Sequence, residues 1–298
     1  MNRRATTAVE DFAVSPSSPV PVIAPGADLG PALTFDAGDL DLLAAAWTRV
    51  GAFFAVAAAP TPVDLETLIV ATAAAAPRDE RLFVVAASWL AYHHVFVHAR
   101  RLRAAALATA RSGGPTGALT SAALGALLEV AAAGARARGE AADSLAPALA
   151  VCQPLATAGL APRPLFDIVT RFRTLRARAE ATSSSLFARW GVWHDSEVLK
   201  PEVVRPVAWL VARAPELRVR AWLGATLEAE VLTAAVLGAV WPTREATVQA
   251  VACFAAASYA GTHEAAERLV ARGLLIRERS GVRQLLRPTR AAQTVIAD

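Results

Sequence analysis

Cysteine is scarce in this chain of 298 residues. Cys152 and Cys253 are the only two, they lie far apart, and neither has CxxC context. That spacing excludes a disulfide framework and a four-cysteine zinc site, and it fits a reducing cytoplasmic setting. Lysine is scarcer still, with Lys200 the single example, so the basic charge is carried by arginine. Tyrosine occurs twice, and charged residues make up 19% of the chain. No GxxxxGK[ST] loop, no GxGxxG after a strand and no GxSxG elbow is present, so nucleotide-binding, kinase and hydrolase motifs are missing and no enzyme activity is expected. The Ser-Gly-Gly-Pro run at 112–115 follows a helical pattern and has no lysine, so it reads as a connection.

What is present is alanine: 72 residues of it, within a hydrophobic share of 55%. Alanine is the best helix former and buries little area, so a mainly α-helical protein is expected rather than a sandwich, a fibre or a disordered chain. Arginine, glycine and proline are also plentiful, a bias that GC-rich codons produce. The formal net charge is +4, which tolerates an anionic partner without demanding one.

Residues 1–35 are rich in proline, serine and glycine without a period and read as a flexible leader. Glu10 and Asp11 interrupt any apolar run there, which argues against a signal peptide. A helical body over 36–225 follows, with Asp36 or Asp39 able to cap its first helix. Pattern and breakers predict helices over 40–59, 62–76 (with Thr61 as cap, Pro62 in the first turn and Asp64 as an early acid), 78–110, 119–138, 145–158, 165–190, 203–213 and 217–240. Two uncharged stretches, 82–99 and 246–263, carry histidines, glutamine, serine and glycine and read as buried helices rather than membrane spans.

Three constellations invite chemistry. His94 and His98 are four apart on the 78–110 pattern, a spacing that can chelate metal. Val95 stands where a zinc helix needs glutamate, and a third ligand would have to come from His194 or Asp195. These histidines are therefore expected to pack beside Trp89 and bond to neighbouring helices, with no metal or cofactor. Trp190, Trp193, His194, Asp195 and Glu197 read as a helix corner with tryptophans in the core, the alternative being an acid–base or aromatic patch. Arg163, Arg171, Arg173, Arg176 and Arg178 read as a solvated helix face, with an auxiliary phosphate contact as the alternative.

The last quarter, 226–298, is punctuated differently. A helix around 227–240 precedes Trp241-Pro242. Thr243 can cap a second helix, the connection SYAGT follows, and HEAAERLVARG forms a third helix closed by Gly273. Two short strand-like runs then flank Ser280-Gly281. With Leu269, Gly273 and Leu274 as a helix–wing junction and Ser280-Gly281 as a wing tip, residues 227–290 resemble the winged helix-turn-helix superfamily of DNA-binding domains. That resemblance implies a recognition helix for the major groove and a β-wing on the backbone of double-stranded DNA. Arg268, Arg272, Arg277, Arg279, Arg283, Arg287 and Arg290 fall within this region with Glu278 as the expected opposing acid. Glu264 and Glu267 on the third helix repel phosphate. Ser258 and Thr262 are both plausible caps; a start at Ser258 would lead with Tyr259 and His263.

The expected DNA contacts are thus Tyr259, His263, Arg268, Arg272, Arg277, Arg279, Arg283 and Arg287. The helical body is expected to serve a protein partner or a homodimer. The whole would act as a transcriptional regulator or the DNA-docking subunit of a larger complex. The alternative is an adaptor whose winged helix makes protein contacts.

Overall fold

A computed structural model describes residues 38–195, 199–238, 243, 245–281 and 283–297. The chain is mainly helical, with a few short strands. The expected leader lies outside the described residues.

Side chains that accept from the first free N–H groups start the early helices. Asp39 accepts from Leu42 N–H at 2.9 Å to open α1 (Leu40–Arg49), and Asp64 accepts from Thr67 N–H to open α2 (Leu65–Ala75). Asp79 opens α3 (Glu80–His93), and His98 opens α4 (Ala99–Arg111) through its Nδ1. The longest helix, α5 (Gly114–Ala137), begins at Gly-Pro and runs through the middle of the body against α2, α3 and α4. By length and composition α5 could cross a membrane, but most of its apolar window is buried against these neighbours.

Because alanine contributes little area, the few large side chains dominate the core. Trp47 and Trp89 meet edge to face at 5.6 Å. Their indole N–H groups donate to Thr72 Oγ1 (2.8 Å) and to the Val50 carbonyl (2.7 Å). Phe83 packs on Phe166 and Phe187. Trp190 lies across α5 at Gly125 and donates to Glu129 Oε2 at 2.7 Å.

The second half of the body is a series of short pieces: α6 (Ala146–Leu149), β1 (Arg163–Pro164), α7 (Asp167–Thr170), α8 (Arg173–Thr182), α9 (Ser185–Arg189), β2 (Val192–Trp193), α10 (Val207–Arg213) and α11 (Pro215–Leu223). The two-residue strands β1 and β2 pair in parallel. Three helices, a hairpin and a last helix follow: α12 (Leu227–Leu237), α13 (Val248–Phe254), α14 (Tyr259–Ala271), β3 (Leu275–Ser280), β4 (Arg283–Pro288) and α15 (Arg290–Ala297). One apolar cluster runs from Leu43 to Leu217 and a second from Val219 to Ala292. Helix α11 therefore contributes to both, with Leu217 facing one core and Val219 the other.

Several helices expected from the sequence are shorter or divided. The 40–59 pattern stops at Arg49, because Gly51 takes φ +93° and the backbone of 51–53 bonds to Val203 and Arg205 instead. The 78–110 pattern breaks at 94–98, so His94 and His98 do not share a helix face. His93 packs on Trp89 (ring centroids 5.1 Å apart) and bonds to the Arg205 carbonyl, while His94 lies against Ser144. The 165–190 pattern becomes α7, α8 and α9, because Phe166 and Phe172 are extended and Phe166 plugs into the core beside Phe83 and His194. Pro154 divides 145–158 into α6 and a 3₁₀ turn, and Gly224 at φ +73° separates α11 from α12.

The described part of the Trp190–Glu197 segment, Trp190–Asp195, leaves α9 through Gly191 into β2. Trp190 is buried, Trp193 is partly buried under the Arg176 guanidinium, and His194 is held between Phe166 and Phe187. Burial lowers the His194 pKa below the usual imidazole value. Ser196 and Glu197 lie outside the described residues.

Close approach at α5 makes a prediction. A methyl at Gly125 would overlap the rigid Trp190 ring, whereas one at Gly134 meets chiefly the flexible end of Leu199. Gly125→Ala is expected to lower stability by about 1–3 kcal/mol in urea unfolding, and Gly134→Ala by less.

Candidate nucleic-acid interface

Three capped helices form the support. Thr226 accepts from Ala229 N–H to start α12, Thr247 accepts from Ala250 N–H to start α13, and Ser258 accepts from Gly261 N–H to start α14. The cap of α13 is Thr247 rather than Thr243. The chain at Ala246 is held extended because its carbonyl accepts from Leu286 N–H of β4 at 2.8 Å, which delays the helix. Helix α14 starts at Tyr259, so four residues of the expected SYAGT connection are its first turn. Thr262, the other candidate cap, is fully buried.

Val231, Leu232, Val251, Ala265 and Leu269 fill the space between these helices. The hairpin closes it with Leu275 and Leu286. Gly273 takes φ +70° just past α14, which turns the chain into β3. The strands pair antiparallel from Leu275↔Pro288 to Ser280↔Arg283, with Gly281 in the turn at φ +59°. Helix, helix, helix and hairpin thus occur in the expected order, followed by α15, which was not expected.

Tyr259, His263, Arg268 and Arg272 lie on α14 or at its end, while in the hairpin register Arg277 and Arg279 share one face and Arg283 and Arg287 the other. Tyr259 is 55% exposed at the start of α14, with His263 one turn on. Glu264, Glu267 and Arg268 are exposed along the same helix. Arg277 ties the hairpin to α14: it donates to Gln284, lies 3.2 Å from His263 Nε2 and forms an ion pair with Glu267. Arg279, Arg283 and Arg287 stand exposed on the strands.

Acid balance is the main correction to the sequence reading. Glu278 is not the sole opposing charge. Arg268 and Arg272 both grip Glu228 (2.6 and 2.8 Å), Arg283 grips Glu245 (2.6 Å) and Arg287 grips Glu278 (2.8 Å). Linear spacing could not show this, because Glu228 lies 40 residues before Arg268 and Glu245 lies 38 before Arg283. Residues 226–298 hold eight arginines against seven acids. Among the described residues, Arg279 and Arg290 have no carboxylate within ion-pair distance.

Beneath this exterior is a charged cluster that the sequence reading did not identify. Arg101 of α4 donates to Asp64 (2.6 Å), Glu66 (2.6 Å) and Glu230 (3.2 Å). Arg220 of α11 donates to Glu66 through both terminal nitrogens (2.8 and 2.9 Å) and to Glu230 at 2.7 Å. All five side chains are buried. Glu66 also accepts from His98 N–H, and Arg220 also donates to the Phe96 carbonyl. The break between α3 and α4 is therefore satisfied by the same charges. Arg101 further stacks on Phe254 of α13 at 3.7 Å. Glu230 and Phe254 belong to the C-terminal helices and Glu66 and Arg101 to the body, so the cluster pins one to the other. A second pair, Arg49–Glu216, joins α1 to α11.

Burial alone would raise the Glu66 pKa, but the guanidiniums of Arg220 and Arg101 outweigh it and hold it at about 2. Burial lowers the His98 pKa, against the pull of Glu230 and Glu66. Among the described residues, no group of three or more His, Cys, Asp or Glu side chains could hold a metal.

Compared with family models, curated proteins and solved structures, the chain has no match.

A depressed carboxyl pKa contributes stability that is fully present above the unfolded-state value and lost as pH falls through the folded one. Glu66 should therefore stabilise fully above about pH 4.5 and progressively less toward pH 2. Glu66→Gln is expected to destabilise at neutral pH by about 3–5 kcal/mol. The gap to the native protein in urea midpoints should narrow between pH 4.5 and pH 2.

Proposed function

We propose that residues 226–298 form a winged helix-turn-helix that binds duplex DNA, with α14 in the major groove and the β3–β4 hairpin along the backbone. One observation carries this reading: the exposed side of α14 and the hairpin adjoin, joined at Arg277, and among the described residues no element of the body covers Tyr259 or Arg279. Ser258 caps α14, so its first turn presents Tyr259 and His263 at the positive end of the helix, which favours phosphate. Arg279 and Arg290 are ready phosphate contacts. The other arginines engage DNA by exchanging a glutamate for a phosphate oxygen, both of which accept in the same forked geometry.

The near balance of charge favours a second reading, an adaptor whose exposed Tyr259 and Ile276 contact another protein. In either case the helical body holds this unit at a fixed angle for a protein partner or a second copy.

Titration of the full chain with random duplex, followed by polarisation at two salt concentrations, separates the two. The DNA reading expects affinity to fall with salt at a slope of about −0.9 per phosphate contacted. Arg279→Glu with Arg283→Glu should weaken binding by more than about tenfold. Glu267→Gln, which frees Arg277, should strengthen it. Duplex binding unchanged by the arginine reversals, or absent at low salt, would leave the adaptor reading.

A further inference from the structure

Among the described residues, the segment around α7 and α8 is a positive surface less neutralised than the hairpin. Its two ends are anchored. Phe166 is buried against Phe83 and His194, and Ala179 is the one buried residue of α8. Between them, residues 170–178 are all exposed. Three large apolar side chains stand in water within eight positions: Ile168 at 57%, Phe172 at 54% and Leu175 at 42% exposure. Around them are five arginines. Arg163 pairs with Asp167 and Arg178 lies 3.9 Å from Asp195. Arg171, Arg173 and Arg176 have no carboxylate within ion-pair distance among the described residues, and Arg176 instead faces the Trp193 ring. This contrasts with the hairpin region, where most arginines are held by glutamates.

We propose that this segment is a contact site for an anionic membrane surface, with Ile168, Phe172 and Leu175 entering the headgroup–acyl boundary and Arg171, Arg173 and Arg176 pairing with lipid phosphates. Leaving such side chains in water forgoes their burial, so a cluster of them marks a contact surface. The composition decides what makes the contact. A second copy would bring the same unneutralised arginines face to face. A duplex supplies phosphate but no apolar layer for three aliphatic and aromatic side chains. Residues 170–178 are all exposed, so they enclose no groove for a docked peptide. An anionic bilayer supplies charge and apolar depth together. This is a surface contact and requires no membrane-spanning helix, and it stands independently of the DNA reading.

The test is flotation of the full chain with phosphatidylcholine vesicles, with and without phosphatidylglycerol. Binding is expected only to vesicles containing phosphatidylglycerol. Replacing Arg171, Arg173 and Arg176 with Gln should weaken it by about a hundredfold, at roughly fivefold per cation. Replacing Ile168, Phe172 and Leu175 with Ser should weaken it by at least about tenfold. All six positions are exposed, so both variants should unfold at the native temperature and bind duplex as the native chain does. The proposal is overturned if the native chain does not float with phosphatidylglycerol vesicles. It is equally overturned if neither variant changes binding, or if the serine variant binds like the native chain and only charge matters. Loss of duplex binding in the arginine variant would reassign the segment as a nucleic-acid contact.

Discussion

Two guanidiniums and three carboxylates, buried together between α2, α4, α11 and α12, are the constraint on which the arrangement of this protein depends. Burying five charges is costly, and an apolar cluster of the same volume often matches or exceeds such a network in stability. What the network supplies is geometry. Glu66 takes donors from Arg101, Arg220 and the His98 backbone. Glu230 bridges both arginines from the other side. Every charge has a partner of opposite sign within hydrogen-bond distance, so a shift of α12 by a single turn would leave a buried ion unpaired. Apolar contacts alone would tolerate such sliding, especially between alanine-rich helices whose surfaces differ little from one another.

The consequence reaches the exterior. Helix α12 carries Glu230 inward and Glu228 outward, and Glu228 holds Arg268 and Arg272 on α14. The same helix therefore connects the buried cluster to the exposed arginines. On the proposed reading, this fixes how α14 and the hairpin are presented relative to the body, which is what a docking unit requires. The acids that neutralise the hairpin arginines also moderate its field, so steering of an anionic partner there is weaker than the count of arginines implies.

The parts of this fold legible in the sequence are those encoded locally. Asp39 as a cap, the helix inside 119–138, Gly273 as a stop and Ser280-Gly281 as a hairpin turn all depend on a few neighbouring residues, whereas α2 is capped by Asp64 rather than by the expected Thr61. Broken helices were not legible, because their interruptions are tertiary. Gly51 leaves the helix to bond with Arg205, and residues 94–98 are held open by Arg220 and Glu66, more than a hundred and about thirty positions away. In an alanine-rich chain the helical pattern runs on through such points without a signal. The candidate surface was legible only as an order of elements, with Tyr259 and His263 on a helix and the arginines on a hairpin. Its charge was not, because Glu228 and Glu245 approach from separate elements. Glu66, Arg101, Arg220 and Glu230 left no trace, for isolated charged residues in a helical pattern read as solvated.

The most direct test of the central constraint is amide hydrogen exchange on the full chain carrying Glu230→Gln, which keeps the volume and removes one buried charge. If the charge cluster sets the docking of the C-terminal helices, protection in α12–α14 falls markedly while the amides of α3 and α5 keep theirs. Unchanged protection throughout α12–α14 would contradict the account and leave apolar contact as what joins the two cores.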